Sequence, residues 1–408
     1  MSRIWVLTEL YFPEQTSTGY LLTQIAEGLA QEFETKVITG PATNFLHQAI
    51  SVNYEVKDGV EIFRCRRTNF SKDLIVGRLL NIITQSMTIL WASLRRCKQG
   101  DAILVVTNPP LLPFFALLIK WLKGCQTILL IHDVYPEVII ASGLSNPDSI
   151  IVKLGSWLNR ILYNKVDAIV TLGRDMTHLA EAKLSGSCCK IHCIPNWAEN
   201  ETVEPTVRDD NPLLKELGVT ERFVILYAGN MGRTHGVEYL LEAAKELQTT
   251  NIHFIVLGFG AKKKWLEENI QLYGLKNISL LPPRPRSEQV VFLNACDIAL
   301  ISFVKGMAGV SVPSRMYNQM AAGKPIIGVT DNWSELAQVI HEEEIGWVIE
   351  PGNIQGLAQT IQFAANHSML CQEMGRKAAL VAKTKYSFQS SNRLYRKLFS
   401  ELFDGGNY

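Results

Sequence analysis

The sequence contains no uninterrupted apolar run of about 20 residues, which is the length that a membrane-spanning helix needs. The nearest approach, residues 102–122, is broken by Pro109, Pro110, Pro113 and Lys120. A charge of one dominant sign is also missing, because 40 Lys and Arg stand against 39 Asp and Glu, which leaves +1. Such a chain is not expected to bind nucleic acid. The apolar start is too short for a signal peptide, so we expect a cytoplasmic protein.

Cofactor and metal motifs are missing as well. The turn after the first predicted strand carries no G-x-G-x-x-G, which argues against a dinucleotide cofactor. No Asp-x-Asp pair is placed to bridge a metal and a diphosphate, since Asp209 and Asp210 lie in a predicted linker. The cysteines are scattered except in the segment 188–193, where their adjacent spacing suits a tetrahedral metal poorly. We expect no metal, no cofactor and reduced thiols.

What the sequence does contain is a regular alternation of short buried strands and amphipathic helices. This alternation is typical of parallel α/β sheets. With 408 residues, 47% of them hydrophobic, the chain is too long for one compact core. The predicted fold is therefore α/β, with two Rossmann-like doubly wound domains and a cleft between them. We place these domains at 1–197 and 212–385, a polar linker at 198–211, and a final helical segment at 386–408.

The most informative stretch is 306–329. It reads as a glycine-bearing loop, a helix from about Ser314, a glycine stop and a buried strand. A helix that starts behind a loop of small residues presents free N–H groups and the positive end of its dipole, which favours a phosphate. Arg315 in the first turn is unfavourable against that dipole unless an anion is bound there. The alternative is a buried crossover whose arginine is a solvated surface charge.

A second strand, glycine-rich turn and helix occupy 223–247. The turn contains Gly229, Asn230, Gly232 and Arg233, an arrangement that also suits a phosphate. The glycine spacing alone is weak evidence. Its weight comes from the expectation that this turn and the Arg315 loop face the same cleft.

Polar residues also follow the predicted strand at 127–131. His132 and Asp133 come directly after it, and Glu137 follows in the same loop. At the carboxyl end of a parallel strand such residues face a ligand crevice. His132 is either an imidazole oriented beside Asp133 or a group that points the opposite way, because neighbours alternate on a strand. A plain core histidine is the remaining alternative.

Two segments of the first half, 69–98 and 111–122, are amphipathic, rich in large apolar side chains and basic. Such segments suit an anionic membrane surface, with aromatic and aliphatic groups among the headgroups and Lys or Arg around them. The alternative is a pair of core helices of the sheet, and both can hold at once.

The motif of 313–325, which includes Pro313-Ser314-Arg315 and Ala321-Ala322-Gly323-Lys324-Pro325, resembles the donor-binding motif of the GT-B glycosyltransferases. It is most similar to family 4 of the retaining enzymes, and there to the branch that builds colanic-acid-like exopolysaccharides and O-antigens. The run 132–137 resembles the same branch. Two glutamates are usual in the family, and their positions are Val310 and Asn318 here. Its usual Arg and Lys fall at Asn230 and His235.

This resemblance implies an acceptor-binding first domain and a second domain that binds a nucleotide diphosphate sugar. His132 would contact the transferred sugar, the loop 282–286 would meet the base, and the final helix would return to the first domain. Arg284 either stacks on the base or is a solvated loop residue. The expected catalytic residues are His132 and Arg315, and Asp133 and Glu137 are expected to bind the acceptor. The expected donor-binding residues are Gly19, Gly229, Asn230, Gly232, Arg233, Arg284, Gly309, Ser314, Arg315 and Asn318.

The function implied is transfer of a sugar, with retention and of the hexosyltransferase type, in cell-surface polysaccharide synthesis. The expected donor is a nucleotide diphosphate sugar, UDP before GDP, and the expected acceptor is a lipid-linked saccharide. The protein would be peripheral on the inner face of the cell membrane. One alternative is a nucleotide-sugar 2-epimerase of the same fold, which needs carboxylates near the sugar. Another is a non-catalytic nucleotide-sugar-binding or interaction protein, which would explain the missing glutamates.

Overall fold

Strands and helices alternate along most of the chain. A computed structural model describes residues 2–43, 49–50, 53–70, 75–184 and 189–405. The strands are β1 (Arg3–Leu7), β2 (Glu34–Thr39), β3 (Ala42–Thr43), β4 (Ala49–Ile50), β5 (Tyr54–Lys57), β6 (Val60–Arg64), β7 (Ala102–Val106), β8 (Gln126–Leu130), β9 (Ala168–Thr171), β10 (Lys190–Cys193), β11 (Phe223–Asn230), β12 (Ile252–Phe259), β13 (Ile278–Leu281), β14 (Ile298–Ser302), β15 (Ile326–Val329) and β16 (Gly346–Ile349). The helices are α1 (Ser17–Leu29), α2 (Ile75–Arg96), α3 (Leu112–Lys123), α4 (Glu137–Ala141), α5 (Ile150–Lys165), α6 (Arg174–Glu181), α7 (Pro212–Leu217), α8 (Val237–Glu246), α9 (Lys263–Leu272), α10 (Gln289–Asn294), α11 (Arg315–Ala321), α12 (Glu335–Glu342), α13 (Ile354–Asn366), α14 (Ser368–Thr384) and α15 (Phe388–Gly405).

The chain forms two compact units. Unit 1 contains the residues up to Pro136, the segment Asp148–Pro195 and the chain from Gln389 onward. Unit 2 contains Asn196–Phe388 together with the short segment Glu137–Pro147, which includes α4. The segment predicted as a linker, 198–211, therefore groups with unit 2. No helix among the described residues has both the length and the apolar character needed to cross a bilayer.

Unit 1 is built on a sheet with the order β10-β9-β8-β7-β1-β2-β6-β5, in which only β5 is antiparallel to its neighbour. The chain moves one way from β1 to β2 and the other way from β6 through β7 and β8 to β9. Because such crossovers are right-handed, α1 lies on one face of the sheet and α2, α3 and α5 lie on the other. α2 packs beside α3, and α3 beside α5. The order reverses between β1 and β7, which places the loops after them at a crevice.

The last helix, α15, covers the α1 side of unit 1. The ring of Phe33, just after α1, lies 6.3 Å from that of Phe399 and 5.8 Å from that of Phe403. Arg396 donates from Nε to the carbonyl of Gly28 at 3.2 Å. A Cβ on Gly28 would lie 2.3 Å from Oδ1 of Asn392, so only glycine permits this close approach.

Unit 2 is built on a parallel sheet with the order β13-β12-β11-β14-β15-β16. Its core is apolar and includes fully buried Tyr227 and Phe254. From β11 the chain first extends the sheet through β12 and β13, and then returns to add β14 on the other side. The strand order thus reverses between β11 and β14, and ligands of doubly wound sheets bind at the carboxyl ends of the strands at such a point.

Candidate functional site

The loops that follow β11 and β14 are joined at the switch point of unit 2. The backbone N–H of Val304 donates to the carbonyl of Thr234 at 3.0 Å. The Ser302 hydroxyl donates to the carbonyl of Gly236 at 3.1 Å. These bonds hold the turn predicted to bind phosphate beside the loop that leads to α11.

Arg315, the first residue of α11, is the centre of this region. Its guanidinium carbon lies 4.6 Å from the centroid of the Tyr227 ring. Both terminal nitrogens, Nη1 and Nη2, are buried and have no hydrogen-bond partner among the described residues. A buried guanidinium without a counter-charge is costly, so the arrangement favours an anion as its missing partner. The charge predicted to hold a phosphate is therefore buried and unpaired, and the solvated alternative is wrong.

The turn after β11 brings backbone close to Arg315. Gly229 has φ +149, and a Cβ there would lie 2.7 Å from Nη1 of Arg315. The side chains of Asn230 and His235 both lie beside Gly232, where a Cβ would be 3.1 Å and 3.2 Å from their nitrogens. The predicted residues Gly229, Asn230, Gly232 and Arg315 are thus brought together in one unit.

His235 is next to the guanidinium but adds no positive charge. Burial, followed by the charges of Arg315 and Lys262, lowers the pKa of His235 to about 3. The imidazole is therefore neutral at physiological pH and serves as a hydrogen-bonding group. Its Nδ1 lies 3.1 Å from the hydroxyl of Thr234.

Arg233 and Arg284 are placed differently from Arg315. Arg233 is exposed, and no hydrogen bond or ion pair of its guanidinium is found among the described residues. Arg284 donates from Nη2 to both carboxylate oxygens of Glu216 at 3.0 Å and from Nη1 to Glu288 at 3.1 Å. The Arg284 charge is thus offset by two carboxylates, so it is a weaker anion ligand than Arg315.

The loop before α11 is partly closed by an acidic residue that sequence reasoning missed. Asp331 accepts the backbone N–H groups of Gly306 at 2.9 Å and Ala308 at 3.2 Å. The amides of Gly306 and Ala308 are therefore already bonded and are not available to a ligand. Gly309 has φ +74, a conformation that favours glycine, and Ser314 precedes α11 without capping it through its side chain.

Asn318 lies one turn after Arg315, at a position where the related family usually has glutamate. Its Oδ1 accepts the backbone N–H of Glu199 at 2.9 Å, and its Nδ2 donates to Oε1 of Glu199 at 2.5 Å. Arg286 also donates to that oxygen from Nη2. A carboxylate is thus present beside residue 318, although it belongs to a residue 119 positions away in sequence.

In unit 1, His132 and Asp133 lie just after the carboxyl end of β8, and Gly19 lies in the first turn of α1. The backbone N–H groups of His132 and Asp133 donate to the Thr107 hydroxyl at 3.1 Å and 3.3 Å, which ties them to the loop after β7. Nε2 of His132 is buried and has no partner among the described residues. Burial lowers the pKa of His132 to about 4, so the ring is neutral.

Gly19 and Glu137 are the remaining predicted residues. The N–H of Gly19 donates to the N-cap hydroxyl of Thr16 at 3.4 Å, and a Cβ at Gly19 would lie 3.1 Å from the side chain of Glu14. Glu137 begins α4 and groups with unit 2, whereas His132, Asp133 and Gly19 belong to unit 1. No group of three or more His, Cys, Asp or Glu able to hold a metal occurs within the described ranges, which omit Cys188.

Comparisons with known proteins identify the family of the chain. Residues 211–381 match the family described as Glycosyl transferases group 1, and residues 18–197 match the Glycosyl transferase 4-like domain. The probable glycosyltransferase WbjE of Pseudomonas aeruginosa is 33% identical over 366 residues, which cover 88% of this chain and 89% of WbjE. The putative colanic acid biosynthesis glycosyl transferase WcaI of Escherichia coli K12 is 26% identical over 384 residues, covering 90% and 94%. HepE of Anabaena, solved in complex with UDP-glucose, is similar with a TM-score of 0.74 at 15% identity, covering 98% of this chain and 100% of HepE.

Two parallel α/β units with a buried, unpaired arginine at the switch point of unit 2 are typical of α/β enzymes that bind an anionic ligand. The chain belongs to the glycosyltransferases, with a group 1 domain at 211–381 and a family 4-like domain at 18–197. The predicted GT-B fold is confirmed.

Proposed function

We propose that the protein transfers a sugar from a nucleotide diphosphate sugar to a lipid-linked saccharide during cell-surface polysaccharide synthesis, with retention of the anomeric configuration. The observation that carries this proposal is the buried, unpaired guanidinium of Arg315 at the switch point of unit 2. The name of WbjE supports a glycosyltransferase, and the name of WcaI supports one that acts in the biosynthesis of a polysaccharide, colanic acid. The complex of HepE with UDP-glucose supports a UDP sugar as the first donor to test.

Arg315 has a direct role in such a reaction. The bond between the anomeric carbon and the diphosphate oxygen breaks, and negative charge grows on the leaving diphosphate. A guanidinium that is already in place and screened from water stabilises this charge more in the transition state than in the ground state. Neutral His235 and the turn at 229–232 would hold the same group by hydrogen bonds. The acceptor oxygen forms the new bond, and its proton passes to the leaving phosphate oxygen.

His132 is proposed to contact the transferred sugar. Because its pKa is about 4, the imidazole is uncharged, so one ring nitrogen donates a hydrogen bond and the other accepts one. Thr107 fixes the backbone of His132 and Asp133, so the ring is attached to a rigid part of the sheet edge. Asp133 and Glu137 remain the proposed acceptor ligands, and Gly19 a proposed point of close backbone approach.

We also propose that the face of unit 1 formed by α2, α3 and α5 binds an anionic membrane surface, where a lipid-linked acceptor is found. None of these three adjacent helices contains an acidic residue. Their exposed apolar side chains include Trp91, Trp121 and Trp157, with Trp121 80% exposed. Their basic residues are Arg78, Arg95, Arg96, Lys120, Lys123, Lys153, Arg160 and Lys165. Exposed tryptophans among Lys and Arg suit the headgroup region of a bilayer.

The third helix, α5, connects this face with the proposed acceptor loop. Nδ2 of Asn159 donates to the carbonyl of Tyr135. A Cβ at Gly155 would lie 3.5 Å from Cβ of Pro136. One side of α5 therefore packs on the loop that follows His132, while Ile150, which is 84% exposed, faces away from the core. A lipid-linked saccharide held at the bilayer would thus have its sugar close to His132.

The direct test has two stages. Thermal unfolding in the presence of UDP, GDP and TDP sugars identifies the donor, since a bound ligand raises the unfolding midpoint. The labelled donor is then incubated with the protein and a lipid extract of the producing cells. Label in the lipid-linked saccharide fraction, with the anomeric configuration retained by NMR, supports the proposal. An epimerised donor formed without any acceptor, or no binding of any nucleotide sugar, contradicts it.

A further inference from the structure

Glu199 places a carboxylate beside residue 318, where this chain has asparagine instead of the glutamate that is usual in the family. The residue follows the end of β10 by six positions, yet its backbone and its carboxylate both bind the side chain of Asn318. Oε1 of Glu199, which accepts from Asn318, accepts a second bond from Arg286. The side chain of Glu199 is only 8% exposed, so these contacts fix it in one position.

Half of the Glu199 carboxylate is still available to a ligand. Both bonds described above end on Oε1, and Oε2 has no hydrogen-bond partner among the described residues. An ionised carboxylate accepts up to about four hydrogen bonds. Oε2 can therefore accept hydrogen bonds from hydroxyl groups of a ligand, and the two bonds to Oε1 keep the carboxylate in a fixed position.

The location of Glu199 indicates which hydroxyls it would meet. Asn318 is three residues after Arg315 on α11, and such neighbours lie about 5–6 Å apart on the same side of a helix. Arg286 is the last residue of the loop 282–286, the loop we expect to meet the base. Glu199 is thus bonded to one residue close to the proposed diphosphate ligand and to another in the proposed base loop. In a nucleoside diphosphate the group between the phosphates and the base is the ribose.

We propose that Glu199 is the specificity-determining residue that binds the ribose hydroxyls of the donor nucleotide. This inference rests on the proposed function, because it requires a nucleotide diphosphate at Arg315. The neighbouring hydroxyls O2′ and O3′ donate to the Glu199 carboxylate, Asn318 and Arg286 keep that carboxylate in place, and no acidic residue is needed at position 318. Glu199 is not a catalytic residue, since it touches neither the anomeric carbon nor the acceptor.

The experiment compares ligands with and without the ribose hydroxyls. Calorimetry measures the affinity of the full-length protein for UDP and for 2′,3′-dideoxy-UDP, first with the natural residue and then with Glu199→Gln. A hydrogen bond to a charged group is worth enough to change affinity about tenfold or more. We expect the natural protein to prefer UDP by at least about tenfold, and Glu199→Gln to bind the two ligands within about threefold of each other. Glu343→Gln is the matched control, because it removes another ion-paired carboxylate of unit 2, the partner of Lys385.

The outcomes separate this inference from the proposed function. If the natural protein prefers UDP and Glu199→Gln keeps the same preference, Glu199 is not the ribose ligand although the donor site stands. If the natural protein binds both ligands equally, the hydroxyls are not recognised and the inference is wrong. If it does not bind UDP at all, the proposed site for a UDP sugar is itself wrong. A thermal unfolding midpoint of Glu199→Gln close to that of Glu343→Gln ensures that the comparison is made on folded protein.

Discussion

Nη1 of Arg315 lies 2.7 Å from the point at which a Cβ on residue 229 would stand. Gly229 therefore both allows the guanidinium to sit beside the backbone and, with φ +149, adopts a conformation that other residues avoid. Gly229→Ala should displace the guanidinium without removing its charge. We expect the affinity for UDP to fall about tenfold, measured by calorimetry.

Gly218→Ala provides the control for this substitution. Gly218 also has a left-handed φ of +66, but no atom lies within 4 Å of its potential Cβ. Gly218→Ala therefore introduces strain from a positive φ in the same unit without touching Arg315. Equal losses of affinity in the two variants would show that strain, and not the position of Arg315, is responsible.

Removing the guanidinium itself tests its role in the chemical step. Arg315→Ala should lower kcat/KM by roughly 100-fold or more, because loss of a preorganised charge-stabilising group has an effect of this size. Arg233→Ala should have a smaller effect, since Arg233 is exposed and Arg315 is buried without a partner. Steady-state kinetics with the identified donor measures both. A loss below about threefold for Arg315→Ala would remove this residue from the mechanism.

His132 should act on transfer and not on nucleotide binding. His132→Ala is expected to lower kcat about 100-fold while leaving the affinity for UDP within about threefold, since a group that contacts the reacting sugar affects the chemical step. Calorimetry measures the affinity for UDP, and initial rates on the same preparation give kcat. Equal losses in affinity and kcat would mean that His132 only supports the fold.

The low pKa of His132 also predicts a pH effect on stability. The folded-state pKa is about 4, below the ordinary value of about 6.5. Between these two values the unfolded chain binds a proton that the folded chain does not bind, so the free energy of unfolding falls as the pH is lowered from about 6.5 to 4. His132→Asn should weaken this decline in thermal unfolding scans. The exposed residue His341, replaced by Asn, is the control and should leave the decline unchanged.

The membrane face can be tested with vesicles. Trp121→Glu combined with Trp157→Glu places two carboxylates on a face that has no acidic residue on its three helices. We expect binding to vesicles of equal phosphatidylglycerol and phosphatidylcholine to fall about tenfold in a sedimentation assay at low salt. Leu272→Glu, at an exposed position of α9 in unit 2, should bind as the natural protein does. Natural protein that stays in the supernatant at low salt would contradict the proposal.

Much of the fold could be predicted from the sequence because its signals are local. The runs 278–281 and 298–302 predict two strands, since each is short, apolar and bounded by polar residues. β13 and β14 begin and end at these residues. The strand β7 was not predicted as a separate element, because the prolines and apolar residues that follow it read as one interrupted apolar stretch. Helices α7 and α12 were also missed, and α7 is only six residues long.

The site was harder to predict, since its decisive contacts join distant positions. The motif around Arg315 indicated an anion, but only the structure shows that both terminal nitrogens are buried and unpaired. The sequence shows Asn318 in place of a glutamate, and nothing local indicates that Glu199 lies against it. Asp331 likewise binds amides of a loop more than 20 residues earlier. Such pairings depend on tertiary packing and leave no periodic signal.

The helix α15 belongs to unit 1, although the whole of β11–β16 is translated before it. Synthesis on the ribosome adds residues at about 5–20 per second, so the rest of unit 1 is made many seconds before α15, the helix that covers its α1 side. Phe399 and Phe403 can contact Phe33 only after β11–β16 have been made. A stop codon between β16 and α15 would therefore damage the first-made unit while leaving every strand of unit 2 in place.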